Sequence, residues 1–124
     1  MKTALFLLLV LGTFVKTADG KVVKYELIAT QESINVSGKK KIDFALLINQ
    51  QIPAPILEFT EGDVAQIKVI NKVPGQEISI HWHGLLLDPY MDGVSYVNTP
   101  PIHSGQSFTF DSSHTLRVIF SLGP

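Results

Sequence analysis

Apolar and polar residues alternate in short stretches along most of this chain, and turn residues separate the stretches. From Val22 to Thr30 the alternation is loose, with Val23, Tyr25, Leu27 and Ala29 on one face. Ile34-Asn35-Val36 is a second short run, closed by Ser37-Gly38. Ile42 to Asn49 is almost continuously apolar and reads as a buried strand. Pro53 and Pro55 interrupt regular pairing, which makes Ile52–Ile56 an extended edge or crossover. Val64 to Asn71 alternates well and directs Ala65, Ile67 and Val69 inward. Glu77 to His83 alternates again, and Ser107 to Phe110 opens a further strand. Turns are expected at Glu61-Gly62-Asp63, Pro74-Gly75, Asp92-Gly93 and Ser104-Gly105. No useful helical period follows residue 20. About seven short strands between turns predict an all-β domain of two packed sheets.

The first twenty residues stand apart from this pattern. Lys2 precedes an apolar run from Ala4 to Val15, and Ala18-Asp19-Gly20 supplies small residues for cleavage. This is the form of a secretory signal, too short for a membrane span of roughly 20 apolar residues. Residues 1–20 are therefore expected to be a signal peptide and 21–124 a single domain, secreted or periplasmic, with no stable membrane span. Without Lys2, Lys16 and Asp19, 8 basic and 10 acidic residues remain, a net charge of about −2. That balance excludes a nucleic-acid partner, and Lys39-Lys40-Lys41 beside Gly38 reads as a solvated turn. The chain has no cysteine. Disulfides, thiolate metal sites and cysteine nucleophiles are thereby excluded.

The candidate chemistry lies in His81-Trp82-His83-Gly84. On an extended backbone Ile78, Ile80 and Trp82 share one face, and Ser79, His81 and His83 share the other. Two imidazoles then stand side by side, about 6.5–7 Å apart along the backbone. They can converge on one metal ion or serve two, and either site needs further ligands. The same residues also fit two surface histidines beside a core tryptophan.

The order of motifs around this pair resembles the first cupredoxin-like domain of the multicopper oxidases. Ile52-Pro53-Ala54-Pro55 is followed by Glu61-Gly62-Asp63, then His81-Trp82-His83-Gly84, then Met91-Asp92-Gly93-Val94. Pro101-Ile102, Gly105-Gln106 and Ser107-Phe108-Thr109-Phe110 complete a series that runs from about Val22 to Asp111. The resemblance implies a Greek-key β-sandwich in which His81 binds the type 2 copper and His83 a type 3 copper of a trinuclear cluster. It implies that Asp92 assists proton delivery during reduction of molecular oxygen. Glu61 and Asp63 read as turn residues and His103 as a surface residue.

Beyond Asp111 the resemblance ends. Residues 112–124 contain the lone His114 and no second His-x-His pair, so the last strand of the sandwich is expected to be missing or altered. The family's cluster takes eight histidines from four motifs, and its type 1 copper takes a cysteine. The expectation is an N-terminal fragment of an oxidoreductase that lacks its downstream cupredoxin domains and does not turn over alone. The alternatives are a free-standing exported copper-binding module and a β-sandwich interaction domain with no metal role.

Overall fold

The computed structural model describes residues 20–35 and 38–112. The expected signal peptide, His114 and the divergent tail beyond Ser112 lie outside the described residues.

Four strands build one open mixed sheet: β1 (Val22–Ile34), β2 (Ile42–Ile48), β3 (Val64–Asn71) and β4 (Ser107–Asp111), in the order β2-β1-β3-β4. β1 pairs antiparallel with β2 and parallel with β3. The parallel pairing sets Val22 opposite Val64 and Ala29 opposite Asn71. It requires a long crossover, formed by β2 and the proline-bearing segment 49–63. β3 then pairs antiparallel with β4, with Ile67 opposite Phe110.

The alternation of β3 is borne out. Ala65, Ile67 and Val69 are buried and join Leu27, Ile102 and Phe110 in the core. The separate run at Ile34 is instead the end of β1, where the register shifts between Glu32 and Ile34 because β2 carries one more residue between Ala45 and Ile42. β2 departs from the buried strand expected of its composition. It lies at the sheet edge, where Ala45 and Leu47 are buried while Ile42, Phe44 and Leu46 face outward. An edge strand covers the core with one face only, and nothing described packs on the other.

The layer facing the sheet is extended chain without ladders. Glu77–His83 was expected to be a strand, yet it makes a single bridge, between Ile78 and Ile102. Its alternation survives nonetheless: Ile78, Ile80 and Trp82 pack on the core, while His81 and His83 are exposed. A three-residue 3-10 turn, Pro89–Met91, follows, with the Asp88 carboxylate accepting from Tyr90 N–H at 2.9 Å. The expected turns at Glu61-Gly62, Pro74-Gly75 and Ser104-Gly105 are present. Asp63 closes the first of them, accepting from the main-chain N–H of Thr60 at 2.9 Å and of Lys21 at 3.2 Å. These bonds, the Thr60 one foremost, hold its carboxyl below the ordinary range. No described helix is long and apolar enough to cross a membrane.

Candidate metal centre

Trp82 is the mechanical centre of the site. Backbone alternation sends its indole inward, where it meets Phe110 edge-to-face with ring centroids 5.4 Å apart. Phe110 in turn meets Phe108 at 4.8 Å. With Trp82 anchored, the neighbours on either side must face outward. The His81 and His83 rings stand 5.7 Å apart, nearly perpendicular at 86°.

The loop 91–94 holds this segment from the side. The main-chain carbonyl of Asp92 accepts from two groups, the Trp82 N–H at 3.3 Å and the His81 Nδ1 at 2.8 Å. A neutral His81 that donates Nδ1–H to this carbonyl keeps its Nε2 lone pair for a metal ion, the orientation typical of ligating imidazoles. The Asp92 carboxylate lies 3.5 Å from the same Nδ1 and accepts from Asn98 Nδ2 at 3.3 Å. The structure therefore brings Asp92 beside His81.

Gly93 makes this approach possible. Its backbone has φ +87°, and a Cβ there would lie 1.8 Å from the Ile80 carbonyl oxygen. Its N–H donates to Thr99 Oγ1 at 2.7 Å, and its carbonyl accepts from the Ser79 hydroxyl. Thr99 is buried and donates onward to the Tyr90 carbonyl at 3.0 Å. Ser79, Asn98 and Thr99 thus position the site without having stood out in the sequence. Only Gly93, in Met91-Asp92-Gly93-Val94, carried a local signal, and it read as a turn.

The other candidates lie elsewhere. Glu61 and Asp63 serve the turn before β3. His103 is exposed, as expected, but its Nδ1 pairs with Glu77 at 2.7 Å. The second oxygen of Glu77 accepts from the Tyr96 hydroxyl, a bond that raises the phenol above its usual pKa. Among the described residues no three His, Cys, Asp or Glu side chains converge as a metal cage. His81 and His83 fit copper as a pair of imidazole donors and as part of a larger ligand set, not a whole one.

The chain is similar to known copper proteins over most of its length. A family model described as multicopper oxidase matches residues 28–117. Laccase-15 of Oryza sativa subsp. japonica is 33% identical over 109 residues, covering 86% of this chain and 18% of that protein. Copper resistance protein A of Pseudomonas syringae pv. tomato is 32% identical over 87 residues, covering 70% of this chain and 14% of its own. Among solved structures, the blue copper oxidase of Nitrosomonas europaea superposes with a TM-score of 0.68 at 30% identity, covering 74% of this chain and 29% of that one. The chain spans less than a fifth of these two relatives and less than a third of the solved chain. With an all-β fold, a matching family model and these neighbours, the chain belongs to the multicopper oxidase family, as an N-terminal cupredoxin-like domain.

Proposed function

We propose that this chain binds copper through His81 and His83, as the first His-x-His pair of a trinuclear site, with His81 the type 2 ligand and His83 a type 3 ligand. The observation that supports it is the hydrogen bond from His81 Nδ1 to the Asp92 carbonyl, which leaves Nε2 available beside the His83 ring. Copper held there supplies the redox chemistry of an oxidoreductase that couples substrate oxidation to oxygen reduction. The chain's own residues have narrower tasks. Trp82 fixes both imidazoles by filling the core behind them, and the 91–94 loop sets the tautomer and direction of His81. The Asp92 carboxylate, beside His81 and held by Asn98, is placed to deliver a proton near the cluster.

Turnover requires more ligands than this chain offers. It has no cysteine for a type 1 copper, and the two histidines are a quarter of the family's eight. Its role is that of one domain of a larger oxidase, exported to the periplasm or cell exterior by the basic and apolar N-terminal segment.

Copper(II) titration of the full chain tests the reading, followed by calorimetry and electron paramagnetic resonance. His81→Ala and His83→Ala should each weaken binding about tenfold or more and change the nitrogen hyperfine pattern. Binding unaltered by both substitutions would overturn the site.

A further inference from the structure

The His81 ring has two acceptors within reach, both on residue 92. Its Nδ1 lies 2.8 Å from the Asp92 main-chain carbonyl and 3.5 Å from the Asp92 carboxylate Oδ1. The first distance is that of a hydrogen bond, and the second is beyond the usual range. This choice runs against charge. A carboxylate accepts an N–H more strongly than a neutral carbonyl does, and ligating imidazoles commonly donate to one. A shift of 0.7 Å would bring the carboxylate as near as the carbonyl, so something must hold it back.

The restraint is at the other carboxylate oxygen. Asp92 Oδ2 accepts from Asn98 Nδ2 at 3.3 Å, and among the described residues no other hydrogen bond reaches this carboxylate. Asn98 is itself anchored. Its main-chain N–H donates to the Val94 carbonyl at 3.2 Å, as do those of Val97 and Thr99 at 3.2 and 3.3 Å. Its side-chain Oδ1 lies 3.2 Å from the buried Thr99 hydroxyl, a second acceptor for that proton beside the Tyr90 carbonyl at 3.0 Å. Only the amide nitrogen can then face Asp92, because Oδ1 would meet the carboxylate as one acceptor against another.

We propose that Asn98 is a positioning residue that keeps the Asp92 carboxylate off the His81 ring and so leaves the ring's N–H to the main chain. His81 thereby keeps the weaker of its two partners and is a less basic ligand than a carboxylate-bound imidazole. The carboxylate keeps Oδ1 free of the ring and open to protons other than that of His81. The choice of partner is a property of the metal-free chain. Only its consequence for copper rests on the copper-binding reading.

The metal-free full chain, labelled with nitrogen-15 and held in EDTA in alkaline buffer, gives the test. Asn98→Ala frees the carboxylate. Asn98→Asp keeps the side chain's shape but replaces the donor with a repelling charge, so it serves if the alanine variant fails to fold. In both, the His81 Nδ1 resonance should move downfield as the ring's N–H passes to the carboxylate. In an Asp92→Asn background the same substitutions should leave it in place. A resonance that stays put in the folded variants overturns the proposal. An equal movement with and without the Asp92 carboxylate also overturns it, assigning the effect to displacement of the loop. Copper(II) titration reads the consequence: Asn98→Ala should bind about tenfold more tightly than wild type, and a moved resonance with unaltered affinity would refute that consequence. Affinity that His81→Ala leaves unchanged counts against the copper site itself, and the resonance result for Asn98 still stands.

Discussion

Gly93→Ala places a methyl group where the backbone of a neighbouring segment already lies. The new Cβ would sit 1.8 Å from the Ile80 carbonyl oxygen, 2.7 Å from its carbon and 3.0 Å from His81 Cα. These are backbone atoms, so no rotamer change relieves the overlap, and the 91–94 loop must withdraw. Two costs add. A non-glycine residue in the left-handed region costs about 1–2 kcal/mol, and forced overpacking costs about 1–3 kcal/mol. Reduced freedom of the unfolded chain returns about 0.4–1 kcal/mol. The expected loss is about 1–4.5 kcal/mol, at its upper end a large share of the stability of a domain this size. Gly105→Ala isolates the steric part. Gly105 has a similar φ of +81°, but a Cβ there meets nothing within 4 Å. The difference between the two variants should be about 1–3 kcal/mol, and at about 4–8 °C per kcal/mol it separates their melting temperatures by roughly 5–20 °C. Circular dichroism melts measure this directly. Withdrawal of the loop also removes the Asp92 carbonyl from His81, so nitrogen chemical shifts of the His81 ring should move in Gly93→Ala and not in Gly105→Ala. Melting temperatures within 2 °C of each other would refute the reasoning.

Asp63→Asn sets an amide donor against one of the two main-chain N–H groups that the carboxylate now accepts. Because the folded pKa of Asp63 is depressed, its stabilisation is complete above the unfolded value of about 3.9 and is lost as pH falls through the folded value. The melting-temperature gap between wild type and Asp63→Asn should stay constant from pH 7 to 5 and narrow in stronger acid, and a gap as wide at pH 2 as at pH 7 contradicts this. Asn71→Ala removes a fully buried amide that donates to the Gln76 and Ile102 carbonyls at 2.7 and 2.8 Å and accepts from Val73 N–H at 2.8 Å. Urea unfolding should show a loss of about 3–5 kcal/mol, from unsatisfied groups at about 1–3 kcal/mol each. Thr99→Val keeps the shape but orphans the Gly93 N–H and should cost about 1–3 kcal/mol, while Thr99→Ser, which keeps the hydroxyl, should recover most of it in the same assay.

Local pattern carried the parts of the fold that depend on which face a residue shows. The inward set Ala65, Ile67 and Val69 and the outward pair His81 and His83 follow from alternation alone, whichever neighbour each segment meets. Neighbours themselves are long-range facts. The apolar run Ile42–Ile48 suits a buried strand, but its burial is decided by position in the sheet, and with a partner on one side only it leaves Phe44 outward. Glu77–His83 has the composition of a strand yet pairs only at Ile78, because the 91–94 loop beside it meets its main-chain N–H groups at one carbonyl and not along a ladder. The candidate residues His81, His83 and Asp92 were legible through the order of motifs. Its support was not, since Ser79 and Thr99 act through hydrogen bonds to Gly93 that leave no mark on hydropathy or spacing.

Residue 92 divides its work between main chain and side chain. The carbonyl orients His81, while the carboxylate sits beside the same ring and binds Asn98. A ring held by a peptide oxygen is indifferent to which side chain that peptide carries. Substitution at 92 can therefore retune the acidity around the histidine pair while leaving the ring's aim intact, whereas the adjoining position 93 tolerates almost no change. Adaptation of this site can thus proceed at one position with the geometry insured by its neighbour.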